Sequence, residues 1–252
     1  MSDQWDFYFA NVNDKLASLF LDVGIRERVP DPSRPWLLWV WVYFQSPRDD
    51  GLSDAGESKV LADIEDAITE TISSSLDGVF VGRITTDGRR EFYSYATDFV
   101  GFEDAIAGCM SKFPSYQWDS GSLQDPNWSQ YLDVLYPTPR DWQRIQNRHV
   151  IEHLQSLGDR LQKKRLVSHW AYFPDEATRG RFVAGIEDLG FSILQQQVDS
   201  DSQAVNPMSV SFERLDDVDW DSINQVTLEL FELADSCSGQ YDGWETSVEK
   251  DD

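Results

Sequence analysis

The sequence predicts an α+β chain of two tandem ferredoxin-like domains, with antiparallel sheets carrying helices on one face. Three observations lead there. Apolar spacing switches along the chain between the two-residue repeat of strands and the 3.6-residue repeat of helices. Read as elements, residues 36–118 and residues 167–248 spell the same order, β-α-β-β-α-β. That is the split βαβ arrangement, whose alternation puts both helices on one side of four strands. The third observation is size: 252 residues with 40% hydrophobic and 13% aromatic content can fill two cores of ordinary domain size. Both copies also close on a Tyr and a Trp (Tyr116 and Trp118; Tyr241 and Trp244). No further residue-level repeat is visible, so the shared feature is topology and not recent duplication.

In chain order, Gln4–Ala10 reads as a strand with aromatics on both faces, and Lys15–Val23 as its partner across a turn at Asn11–Asp14. Arg26–Pro35 holds three prolines and reads as a loop. Trp36–Phe44, WLLWVWVYF, is a continuous apolar run of the kind found in a strand covered on both faces. Ser53 is placed to cap a helix whose stripe is Val60, Leu61, Ile64, Ala67, Ile68 and Ile72. Val79–Thr85 and Arg90–Ala96 follow as strands, and the Asp87-Gly88 between them is a strong hairpin signal. A short helix at Phe102–Phe113, a strand near Tyr116–Trp118 and a helical turn at Trp128–Leu135 complete residues 1–137.

Thr138 to Arg165 reads as one helix. Trp142, Ile145, Val150, Leu154, Leu157 and Leu161 form its stripe, Thr138-Pro139 starts it, and Lys163, Lys164 and Arg165 crowd its end. Beyond it come a strand at Val167–Phe173, a helix from Pro174 to about Leu189 stopped by Gly190, and a strand at Phe191–Val198. A polar loop at Asp199–Pro207 leads to an alternating strand at Met208–Arg214. Trp220–Cys237 is a helix, and Tyr241–Val248 the closing strand. The expected organisation is therefore a domain at 1–137, a basic linker helix at 138–165 and a second domain at 166–252.

Charge is distributed unevenly over these parts. Residues 1–137 carry ten Lys/Arg against 23 Asp/Glu, a net of −13. The linker helix has seven against three, or +4, and residues 166–252 have four against 19, or −15. A total of −24 argues against binding a nucleic-acid backbone, because affinity for phosphate is built from Lys and Arg. It suits solubility or a basic protein partner drawn in by the field. Two cysteines in separate halves, Cys109 and Cys237, fit buried free thiols in a reducing compartment. The N-terminus lacks the basic-then-apolar pattern of a signal peptide, and the run at Trp36–Phe44 is too short to span a membrane, so a cytoplasmic protein is expected.

Tests for chemistry return little. No clustered glycines precede a helix, so no phosphate cradle is expected, and no cofactor. His149 and His153 lie four apart on one helical face, but without the accompanying acid or Cys they read as surface or packed histidines and not as metal ligands. Asp216, Asp217, Asp219 and Asp221 cluster where they favour a helix start, without the glycine and final Glu of a calcium loop. His169 sits on a strand as a hydrogen-bonded sheet-face histidine, or else as the centre of an active site if a nucleophile and an orienting acid reach it. No catalytic residues are assigned.

The C-terminal segments VSHWAYFPDEATRGRFVAGIEDLGF (Val167–Phe191), MSVSFER (Met208–Arg214) and LELFELADSCSGQYDGWETSVE (Leu228–Glu249) resemble the bacterial regulator of ribonuclease E activity, B type (RraB). The resemblance rests on the strand with His169, on the closing Tyr241-Asp242-Gly243-Trp244, and on the acidic tail at Glu245, Glu249, Asp251 and Asp252. It implies a small ferredoxin-like, non-enzymatic protein that binds the largely disordered C-terminal region of ribonuclease E and inhibits RNA cleavage. Candidate partner-binding residues are His169, Tyr241, Asp242, Trp244 and Glu245. Residues 1–137 are similar to a widespread bacterial domain of unknown function, through WDFYFANVNDKLASLFLDVGI, WLLWVWVYF and VGRITTDGRREFYSYA. The leading expectation is an acidic interaction module for a basic, flexible protein segment. An enzyme centred on His169 and a purely structural or oligomerising role are the alternatives. Oligomeric state is left open.

Overall fold

The computed structural model describes residues 2, 4–199 and 205–250, so Asp251, Asp252 and the centre of the 199–207 loop lie outside the described residues. The chain divides into two compact units, Met1–Pro137 and Thr138–Asp252.

The first unit is built on a six-stranded antiparallel sheet ordered β1-β2-β4-β5-β3-β6. Its strands are β1 (Trp5–Val12), β2 (Lys15–Asp22), β3 (Trp36–Tyr43), β4 (Val79–Thr86), β5 (Arg89–Ala96) and β6 (Trp118–Gln124). Helix α1 (Ser58–Leu76) joins β3 to β4 and helix α2 (Phe102–Met110) joins β5 to β6. The run β4-β5-β3-β6 is the ferredoxin-like order, and the β1–β2 hairpin adds two strands beside β4. Both hairpin turns have two central residues in the left-handed region, Asn13 and Asp14 in one and Asp87 and Gly88 in the other. That is the type I′ signature expected of tight hairpins. Leu61, Ile64, Ile68 and Ile72 of α1 and Phe102 and Ile106 of α2 pack on Leu38, Val40, Val42 and Phe92 of the sheet. On the opposite face, residues 125–135 fold back. Tyr95 stacks on Trp128 at 3.9 Å and donates to Asp125 Oδ2 at 2.5 Å, while Tyr8 and Tyr131 donate to the carbonyls of Leu135 and Asp22.

Two local expectations are corrected here. Ser53 pairs with Pro47 in an isolated bridge, and α1 begins five residues later, where Asp54 Oδ1 accepts from the Glu57 amide. The last strand lies at Trp118–Gln124 and not at Tyr116–Trp118, because WDSGSLQ is a polar edge strand with no alternating pattern to announce it. The helical turn expected at Trp128–Leu135 is present, as a π-helical turn at Gln130–Leu135.

The second unit opens with α3 (Pro139–Ser156) and continues with β7 (Arg165–Phe173), α4 (Glu176–Asp188), β8 (Ser192–Val198), β9 (Met208–Asp216), α5 (Trp220–Ser236) and β10 (Gln240–Thr246). Its four strands run β10-β7-β9-β8, all antiparallel, again the ferredoxin-like order. Phe182 and Ile186 of α4 and Leu230 and Ala234 of α5 pack on Ala171, Phe173, Val210 and Phe212. Asp175 and Asp219 cap α4 and α5 with their carboxylates, and Thr138 and Asp141 form a reciprocal capping box on α3.

Helix α3 stops at Ser156 and does not reach Arg165. Gly158 and Leu161 take left-handed conformations, which end a helix, and Asp159 turns inward to meet Arg165. The three basic residues expected at the helix end therefore lie in the connector and the start of β7. Arg165 and Asp159 form a buried pair (each 4% exposed) in which Arg165 also donates to the Ser247 carbonyl, and Asp159 accepts from the Glu249 and Leu161 amides. Those bonds, led by Arg165, lower the Asp159 pKa to about 2.

Candidate functional site

The Tyr-Asp-Gly-Trp segment occupies β10, at the edge of the second sheet, and its spacing dictates its geometry. Side chains three apart in a regular strand point to opposite faces. Here a bulge between Tyr241 and Gly243 absorbs the extra residue, so Tyr241 aligns with Ala171 and Trp244 with His169, both on the helix-covered face. Gly243 adopts φ +121, which a side chain rarely tolerates, and a Cβ there would meet nothing within 4 Å. The glycine is required by the backbone and not by space.

Tyr241 turned inward meets His169, with 2.8 Å between its hydroxyl and His169 Nδ1. Phe212 stacks on the imidazole at 5.4 Å, and Phe191 stands perpendicular to it at 5.5 Å. His169 is 0% exposed. Burial, reinforced by Arg214, lowers its pKa to about 3, and burial raises that of Tyr241 well above the usual value. Both groups are neutral near pH 7. Whichever of the two groups donates, the other ring nitrogen, Nε2, has no hydrogen-bond partner among the described residues. Sealed from solvent, with the imidazole pKa far below neutral, the pair is poorly matched to acid–base work on a substrate.

Trp244 meets a residue that sequence reasoning missed. Asn147, on α3, is fully buried. Its Oδ1 accepts from Trp244 Nε1 at 2.9 Å and Gln143 Nε2 at 3.0 Å, and its Nδ2 donates to Asn224 at 2.9 Å and Thr227 at 2.7 Å. All four hydrogen-bonding positions of the amide are used. Gln143 and Asn147 continue toward Ile151 and Leu154, so this row of buried residues on α3 is polar in its first half and apolar in its second, with Ile145 also buried on the helix. An apolar-stripe reading passes over such a face. The available signal was the spacing of 143, 147, 151 and 154.

Asp242 and Glu245 project outward and are exposed. The outward-facing positions of neighbouring strands are Leu166, Ser168, Trp170 and Tyr172 on β7 and Ser209, Ser211, Glu213 and Leu215 on β9. Leu166 and Leu215 are 55% and 58% exposed, with Trp170 and Tyr172 half-buried among the serines. Of the five candidate residues, the fold thus joins His169, Tyr241 and Trp244 in the interior and leaves Asp242 and Glu245 outside.

Elsewhere, Asp216 pairs with Arg214, Asp217 with Lys164, and Asp219 caps α5, which accounts for the acidic cluster there. His149 and His153 lie exposed on α3. Among the described residues no group of three or more His, Cys, Asp or Glu is arranged to hold a metal ion, and no helix is long and apolar enough to cross a membrane. Cys109 and Cys237 are buried free thiols.

Comparison with known families gives two matches. Residues 3–136 match a family of unknown function (DUF695), and residues 144–246 match the regulator of ribonuclease activity B, RraB. No curated protein matches the chain. A crystal structure of an unknown protein from Galdieria sulphuraria aligns with 85% of this chain and 99% of its own at 10% identity and a TM-score of 0.25, too low for a shared fold to be inferred.

Proposed function

We propose, for a chain that belongs to the family of unknown function DUF695 and carries an RraB region behind it, a regulator that acts on a ribonuclease by binding it. The observation that carries this reading is the RraB match, which begins inside α3 and runs to the last residue of β10. It takes in all four strands of the second unit, α4, α5 and all but the first turn of α3, so nearly the whole fold of that unit is the regulator-like part. The target is a protein such as ribonuclease E, engaged through a basic and flexible segment in a cytoplasmic setting. Residues 138–252 carry 11 Lys/Arg against 22 Asp/Glu, a charge that favours and speeds such an encounter.

Binding without catalysis fits the interior. His169, the centre of the enzymatic alternative, is sealed and uncharged, and the motif residues Tyr241 and Trp244 are turned to interior hydrogen bonds with His169 and Asn147. The contact surface on this reading is the outward one, with Asp242, Glu245 and the Trp170–Tyr172 face. The test is a ribonuclease E cleavage assay with the full chain added, paired with a pull-down. Slower cleavage together with co-purification is expected. Unchanged cleavage with no retention of the ribonuclease would end the proposal.

A further inference from the structure

We propose that the first unit has a binding groove of its own, for a peptide segment in which apolar residues alternate with lysine or arginine. The β1–β2 hairpin carries the sheet past the edge of α1, and a groove of about 430 Å³ lies between them. Three rings form its floor. Trp5 stacks on Phe20 with centroids 5.0 Å apart and on Phe80 at 5.5 Å, both at 19°. All three are half-buried, although most aromatics in the core beside them are closed off. The wall is one side of α1, where Asp66 and Glu70 stand a turn apart and exposed beside Thr69.

The chemistry of this floor and wall is already shown once within the fold. The Arg83 guanidinium lies 4.4 Å from the Phe20 centroid and donates to both oxygens of Glu65, at 2.8 and 2.9 Å. A cation above a ring with a carboxylate beside it is thus a stable arrangement here. Glu65 is committed to Arg83 and Arg90. Asp66 and Glu70 form no ion pair among the described residues, and they line the same groove as the rings. An anionic ligand would be repelled by this wall, whereas a basic side chain gains the rings and the carboxylates together.

The length of the surface favours a peptide over a small cation. Phe9 shares the face of Trp5 on β1, is 46% exposed, and lies about 14 Å along the strand. Leu16, 38% exposed, continues the apolar ledge on β2. A first unit with a net charge of −13 adds long-range attraction for such a segment. The inference concerns the first unit alone and stands or falls apart from the ribonuclease reading.

The test uses the full chain and a short fluorescein-labelled peptide alternating Lys and Phe, followed by anisotropy. Binding is expected, and the double reversal Asp66→Lys with Glu70→Lys should weaken it by roughly tenfold. The same charge change on the far helix, Glu103→Lys with Asp104→Lys, should leave it within about twofold. Trp5→Ala, checked for an unchanged circular dichroism spectrum, should also weaken it. Absence of binding, equal losses from both double reversals, or equally tight binding of a peptide with Ser in place of Phe would each overturn the groove.

Discussion

At the scale of single residues, the His169–Tyr241 pair illustrates how a residue type suggestive of chemistry becomes structural. The sequence supplies a histidine on a strand and a tyrosine in a distinctive tetrapeptide, and both readings of His169, packed or catalytic, are open at that stage. Burial favours the packed reading, and burial is a tertiary property. A consequence follows for pH. In the unfolded chain His169 has its ordinary pKa near 6.5, and in the folded chain about 3. Between those values the unfolded state binds a proton that the native state refuses. Stability contributed by the neutral histidine is therefore complete above pH 6.5 and falls as pH drops toward 3, by at most about 1.4 kcal/mol per pH unit. Urea denaturation across this range should show that slope in the native chain and lose it in His169→Phe. At neutral pH the single variant leaves the Tyr241 hydroxyl unpaired and should cost about 1–3 kcal/mol, and adding Tyr241→Phe should recover most of it. A slope unchanged in His169→Phe would refute the assignment. Asp159 acts in a lower window, since its depressed pKa contributes stability above pH 3.8 that is lost toward pH 2.

At the scale of elements, much was legible where local pattern and tertiary role agree. The order of the second sheet and the β4-β5-β3-β6 run of the first follow from periodicity plus the split βαβ rule, whereas the seat of the β1–β2 hairpin beside β4 does not; the Asp87-Gly88 turn forms as its chemistry demands. Legibility failed where an element is held by contacts the pattern does not encode. The strand β6 is polar because it is an edge, and α3 ends early because Gly158 and the Asp159–Arg165 pair redirect the chain while Leu161 still continues the apolar spacing. Asn147 escapes an apolar-stripe reading for the same reason, being a buried residue that looks like a surface one, with only its spacing to 143, 151 and 154 to mark it. The bulge in β10 is the intermediate case: the tetrapeptide was noticed, but not its purpose. That purpose predicts the effect of Gly243→Ala. With open space at the Cβ position, the cost is the positive φ alone, about 1–3 kcal/mol. Relaxing the bulge instead would turn Tyr241 or Trp244 away from His169 or Asn147. Thermal melting should register the loss, with near-ultraviolet circular dichroism reporting the aromatic environment. A variant as stable as the parent would mean that the bulge is dispensable.

At the scale of the whole molecule, each unit has an interior made from its own residues, and the question is where the second begins. Helix α3 is charged enough to pass for a linker, yet Ile151 and Leu154 share a core cluster with Val167, Val218, Ile223 and Trp244. Asn147 completes the only hydrogen bond found for the Trp244 indole among the described residues. A chain starting at residue 166 would expose the apolar side of that cluster and leave the indole N–H unpaired beneath it. Large-to-small changes at single buried leucines or isoleucines typically cost about 2–5 kcal/mol, and removing a helix that supplies two such side chains, as well as the amide spine, exceeds the margin of a small domain. A fragment spanning 138–252 is therefore expected to unfold cooperatively in urea, and one spanning 166–252 to show a broad transition or none. The family match points the same way, since its first matched residue, 144, lies within the helix. Equal cooperativity in the two fragments would return α3 to the role of a connector. The regulator-like surface would then have to be sought on β7–β10 with α4 and α5 alone.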